Sequence, residues 1–265
     1  MNTLDDYNLW VVALSYLISV VGAFVSLNVS DYVRATSGRV ELCWTVLAAV
    51  IFGGCAIWAM HFVGMLAYQP GVPITYDIQL TLISLVIPIA FTFGGFFTVY
   101  RWRGNWTALL LAGTTVGLGV ATMHYTGMAA MRIDAEMTHV GWIMGVSVLI
   151  AVIAAIVALH IFVHWEGYVR QLSPFLMGVA VCGMHYTGMS AMRLSPANRM
   201  EPLDYYQGAW DPPIMAICTS GAVVFALAVG LVTVMSRQLS DLKTAGRLAS
   251  SRAPAIGTTM PAMRR

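Results

Sequence analysis

The chain has 265 residues, 58% of them hydrophobic and 10% charged, with a formal net charge of +2 at pH 7. A soluble domain carries about 25% charged residues, so the composition excludes an ordinary soluble enzyme, and the near-neutral balance excludes a nucleic-acid-binding surface. Several runs pass the roughly 18 apolar residues that mark a bilayer-spanning helix, which makes the fold class all-α: a polytopic membrane protein whose main partner is the lipid bilayer.

Seven transmembrane helices are predicted in chain order: Leu9–Val29, Leu42–Ala67, Ile78–Tyr100, Trp106–Met131, Gly141–Val163, Leu172–Met192 and Pro213–Met235. The first lacks a basic leader and a small-residue cleavage site, so it reads as a retained span. Trp10, Trp44, Trp102, Trp106, Trp142, Trp165 and Trp210 fall near proposed span ends, as an aromatic belt requires, and Trp58 lies deeper. With the N-terminus outside, the outer segments carry Arg132, Arg193 and Arg199, and the other eleven basic residues are inside. That asymmetry places the N-terminus in the periplasm and the C-terminus in the cytoplasm. Residues 1–236 thus form the membrane domain. Residues 237–265, basic and rich in Ser, Ala and Pro, read as a disordered cytoplasmic tail held to anionic lipid.

One short string occurs three times: Met60-His61-Phe62-Val63-Gly64-Met65, Met123-His124-Tyr125-Thr126-Gly127-Met128 and Met184-His185-Tyr186-Thr187-Gly188-Met189, at spacings of 63 and 61 residues. Each repeat contains two spans, so the chain returns to the same side and the repeats are parallel. The three histidines therefore lie at one depth, about 9 Å from the outer helix ends at roughly 1.5 Å per residue. On a helical wheel His124, Met128 and Met131 share a stripe, as do His185, Met189 and Met192, and His61, Met65 and Tyr68. Gly54, Gly117 and Gly178, seven residues before each histidine, and Gly64, Gly127 and Gly188, three after, lie on the same stripe. Small residues let helices approach closely in lipid. Spans two, four and six are thus expected to form an inner cluster with pseudo-threefold symmetry. The odd spans lie outside it and the seventh is an addition. Met60, Met123 and Met184 sit to the side of the stripe and are poorer ligands.

Imidazole and thioether together suit copper, above all Cu(I); imidazole alone also suits zinc, and noncovalent haem with His or Met axial ligands is a third option. A lone histidine in a membrane helix is more often an interhelical hydrogen-bond partner, but three coincident stripes favour a shared ligand set: His61, His124 and His185 with Met65, Met128 and Met189, then Met131 and Met192, then Met60, Met123 and Met184. His160 and His164, four apart near the inner end of span five, read as snorkelling side chains, and His139 as a solvated loop residue. No Asp or Glu lies within a proposed span, which disfavours proton-coupled transport. The only lysine, Lys243, is in the tail, which rules out a retinal Schiff base. No catalytic motif is present, and the chain does not read as an enzyme.

The three strings, their spacing and the seven-span context resemble the MHYT domain, a membrane module of bacterial signalling proteins, over residues 8 to 236. The resemblance implies a bacterial inner-membrane sensor of O2, CO or NO, acting through copper held by the Met and His residues of the motif near the outer face. The first copy departs from the pattern, with Phe62-Val63 for Tyr-Thr and Tyr68 where the others have Met131 and Met192. Many family members continue into cyclase, phosphodiesterase or kinase domains. Here the chain ends about 30 residues after the last span, so an unidentified cytoplasmic signalling partner is expected. Copper transport or insertion and a haem-based redox role are the alternatives.

Overall fold

The computed structural model describes residues 6–33, 41–196 and 208–252. Seven long helices run through these residues: α1 (Leu9–Val33), α2 (Leu42–Leu66), α3 (Ile78–Arg101), α4 (Trp106–Ala129), α5 (Gly141–His164), α6 (Gly167–Ala191) and α7 (Pro212–Arg252). Six stretches are long and apolar enough to cross a membrane: α1 to α5 and Pro212–Thr233 of α7. α6 has the length, 25 residues, but carries Arg170, Gln171 and Ser173 near its start and is less apolar.

The chain divides into two compact units, Met1–Gly230 and Leu231–Arg265. In the second, the described residues are those of α7, which stays helical to Arg252. Residues 237–252, expected to be disordered, are therefore helix; the rest of the expected tail, 253–265, lies outside the described residues.

In the first unit α2 is the most buried of these spans, with 83% of its most apolar 18-residue stretch inside, followed by α4 at 56% of its own; α1, α3 and α5 lie between 33% and 44% and face outward. Small residues set the spacing. A Cβ on Gly22 of α1 would lie 2.5 Å from the Ala56 amide nitrogen of α2, and one on Gly117 of α4 would lie 2.5 Å from the Val152 Cα of α5. Ser19 and Ser26 of α1 donate to the Ala56 and Ala48 carbonyls of α2, both at 2.9 Å. These bonds satisfy hydroxyls that have no water to turn to in an apolar interior.

Helix ends follow local chemistry. Asp77 caps α3 through the Leu80 amide at 2.9 Å, and Asn105 caps α4 through Thr107 at 2.8 Å. Gly104, at φ +83°, supplies the left-handed turn before that cap. Phe52–Ala59 of α2 winds as π-helix and runs directly into the first histidine string at Met60; its Gly53 sits against the Pro88–Ile89 backbone of α3.

Four short strands, unseen in the sequence, follow the ends of α2, α4 and α6. β1 (Ile74–Tyr76) pairs antiparallel with β2 (Met131–Ile133), and β3 (Ala135–His139) with β4 (Met192–Pro196). Asp77 forms an ion pair with Arg132 beside the first pair. The amide of Leu80 and then the Arg132 guanidinium hold the Asp77 carboxyl below its usual range. Tyr76, buried next to it, has its phenol pushed up by desolvation.

Candidate metal centre

His61 on α2, His124 on α4 and His185 on α6 meet at one point, each fully buried. The Nδ1 atoms are 3.0 Å apart for His61 and His185, 3.2 Å for His124 and His61, and 3.3 Å for His185 and His124. The three rings stand nearly perpendicular to one another, at 82°, 88° and 89°. The histidines lie five, five and six residues before the last residues of their helices, Leu66, Ala129 and Ala191, which gives them a common level.

Hydrogen bonding among the rings does not account for this arrangement. A neutral imidazole uses Nδ1 either as donor or as acceptor. Of three Nδ1 atoms at least two are in the same state, so at least one of the three contacts sets like against like. Each Nε2 is also buried without a hydrogen-bond partner. A cation between the nitrogens would take all three lone pairs at once. A triangle with these sides has its centre about 1.8 Å from each corner, close to the roughly 2.0–2.1 Å of a metal–imidazole bond. Among the described residues this is the one His, Cys, Asp or Glu cluster with ligand spacing.

The glycines three residues after each histidine make room for the rings. A Cβ on Gly64 would lie 2.5 Å from Nε2 of His185, one on Gly127 would lie 2.3 Å from Nε2 of His61, and one on Gly188 would lie 2.2 Å from Nε2 of His124. The expectation was helix-to-helix contact, but each glycine instead receives the imidazole of another repeat. The earlier glycines behave differently. Gly117 touches α5, Gly178 touches Tyr16 and Val20 of α1, and Gly54 has only Leu85 Cδ1 nearby, at 3.8 Å from a Cβ position.

Met65, Met128 and Met189, one turn beyond the histidines, are buried, as are Met60, Met123 and Met184. Met131 and Met192 are buried too, but they begin β2 and β4, so the helical wheel no longer sets their direction. His160 stacks between Trp106 and His164, with centroids at 5.3 and 4.8 Å, and takes no part in the centre. His139 lies on β3, where burial lowers its pKa.

A second set of residues escaped the sequence reading. Ser15 of α1, Ser84 of α3 and Ser147 of α5 are fully buried, and each donates to the carbonyl three residues earlier at 2.7–2.8 Å. Each also meets an inner aromatic: Tyr186 of α6 at 2.9 Å, Trp58 of α2 at 3.1 Å and Tyr125 of α4 at 2.6 Å. With the serine proton already committed, the tyrosine hydroxyls are the donors here, as the Trp58 Nε1–H must be. The first repeat has Phe62 where the others have a tyrosine, and Trp58, one turn earlier, supplies the missing donor. The signal available in the sequence was a serine in spans one, three and five at matching depth.

Helices of this kind, closing over three converging imidazoles, define a multi-helical membrane protein with a candidate metal centre in its core. The chain belongs to the MHYT family, described as a bacterial signalling protein N terminal repeat, whose model matches residues 54–112, 117–173 and 178–247. It is 32% identical over 243 residues to the bifunctional diguanylate cyclase/cyclic di-GMP phosphodiesterase MucR of Pseudomonas aeruginosa, covering 86% of this chain and 34% of that protein. It is 32% identical over 232 residues to the cyclic di-GMP phosphodiesterase NbdA of the same organism, covering 83% and 29%. To the signaling protein YkoW of Bacillus subtilis it is 31% identical over 193 residues, covering 70% and 24%. The chain thus spans about a third or less of the length of these relatives. No solved structure matches it.

Proposed function

We propose that this chain is the sensory membrane module of a signalling protein, in which His61, His124 and His185 hold one copper ion through Nδ1 near the outer face of the bacterial inner membrane. The observation that carries the reading is the approach of three fully buried Nδ1 atoms to within 3.0–3.3 Å of one another, with no hydrogen-bond pattern that satisfies them. The thioethers of Met65, Met128 and Met189 one turn away favour copper over zinc, because soft donors select Cu(I). Bound copper would supply a soft centre able to take O2, CO or NO or to change oxidation state. The chain's own residues supply the trigonal nitrogens, exclude water and hold the rings in place through Gly64, Gly127 and Gly188.

Seven crossings, counting α6, would put the two termini on opposite sides of the membrane, and the distribution of Arg and Lys supports an N-terminus in the periplasm and a C-terminus in the cytoplasm. The three repeats lie around one pseudo-threefold axis. Its support is the closed order of contacts: α2 bonds to α3, α4 to α5 and α6 to α1 through the serine–aromatic pairs. A change at the imidazoles would reach α1, α3 and α5 through these bonds and pass to a cytoplasmic signalling partner.

The haem alternative finds no space here, since rings in mutual contact leave no slot for a macrocycle between them. Transport is disfavoured because the side chains lining the space beneath the triad include no carboxylate, imidazole or thiol and only the thioethers of Met177 and Met184. The test is metal analysis of the detergent-purified chain, followed by anaerobic reconstitution with Cu(I) and Zn(II) in competition. Near-stoichiometric copper, lost in His61→Ala, His124→Ala and His185→Ala alike, is the expected result. No uptake of copper, or uptake indifferent to all three substitutions, overturns the proposal.

A further inference from the structure

One turn inward from the histidines a cavity of about 40 Å³ lies between α2, α3, α4, α5 and α6. Val120 and Val181, each four residues before a histidine, and Met184, adjacent to His185, form its near wall; Phe52, Phe96 and Ala155 lie among the residues that close the remainder. Every lining side chain is hydrocarbon or thioether. A cavity needs roughly 10–15 Å³ of such space to admit one water, and the water needs two to four polar partners. This one has the room and lacks the partners, so it stays dry.

A second depression lies on the outer side of α5 and α6, bordered by the exposed side chains of Ile153, Val157 and Leu176. It shares Ala154, Ala158, Met177 and Ala180 with the cavity, which is only partly enclosed, so the two adjoin along a boundary made mostly of alanine.

We propose that the inner cavity is a binding site for a small, uncharged apolar molecule of diatomic size, loaded sideways from the bilayer core through the α5–α6 wall. Apolar gases dissolve in hydrocarbon, and a dry cavity gains by contact with them what it cannot gain from water. Met184 of the lining is the sequence neighbour of His185. That such a molecule serves the triad rests on the sensor reading; that the cavity binds it does not.

Xenon is the probe, followed by 129Xe magnetic resonance on the full chain in nanodiscs, with copper measured on the same samples. The wild type should show one saturable xenon site. Ala155→Leu, which fills the cavity from α5, should abolish it, and Val181→Leu, which fills it from α6, should do the same if the first variant does not fold. Copper content should not change in either. Ala158→Phe, in the shared wall, should slow xenon exchange. Unsaturable xenon, or a saturable site that survives both fillings, overturns the cavity proposal; unchanged exchange in Ala158→Phe overturns the lateral route. His185→Ala should keep the xenon site. Copper absent from the wild type while xenon binds and is lost on filling would sink the sensor reading and leave the cavity standing.

Discussion

Single atoms decide the behaviour of the centre. Gly188 faces the ring of His124 so closely that one added carbon, 2.2 Å from Nε2, must push the imidazole away. Gly188→Ala should therefore abolish copper retention while changing the far-ultraviolet circular dichroism little. Gly54→Ala, where the nearest atom is 3.8 Å away, should retain copper fully. Equal effects in a side-by-side metal assay would refute the division between the two sets of glycines. The hydrogen bond between Tyr125 and Ser147 has a different consequence. Tyr125→Phe should cost about 0.6 kcal/mol, and at most about 1.7, the range for interhelical hydrogen bonds in membranes, measured by denaturation in mixed micelles with copper content unaltered. The histidines and methionines were legible because the string repeats. The glycine cradles were not: a linear sequence does not tell which ring turns toward which backbone.

At the scale of elements, close contacts between backbones at Gly22, Gly53 and Gly117 add to the packing of side chains in the core. Gly117→Leu would force a side chain into the Val152 backbone of α5 and should destabilise by about 1–3 kcal/mol, the usual cost of overpacking, seen as a lower melting temperature. The end bearing the strands carries a pH dependence. Asp77 is held below its usual range, so its contribution to stability is present above the ordinary carboxylate range and is lost as pH falls through its lowered value. The melting-temperature gap between wild type and Asp77→Asn should therefore be widest near neutrality and close on acidification; a constant gap would contradict the role given to the Leu80 amide and the Arg132 pair in holding the carboxylate. Apolar runs revealed the helices. The strands are three to five residues each, too short for alternation to register, and they form because the ends of α2, α4 and α6 bring their following segments together. The helical continuation of α7 past Ser236 was hidden by a composition that reads as tail, although Leu239, Leu242 and Lys243 are compatible with helix.

Within Met1–Gly230, serine–aromatic bonds join α2 to α3, α4 to α5 and α6 to α1, each between different repeats. Near-equal spacing in sequence placed the histidines at one level. What the spacing could not give was the direction of the rings, with Nδ1 inward and Nε2 against a glycine of another repeat. It also could not show that α1, rather than α7, supplies the serine partner for Tyr186. The claim on which all of this depends is that three imidazoles share one ion. X-ray absorption at the copper edge of the loaded chain measures that directly. The account predicts a shell of three imidazole nitrogens at about 2.0 Å, the distance usual for a metal–imidazole bond, reduced in the His124→Ala variant; a shell made only of sulfur, or of a single imidazole, would contradict it.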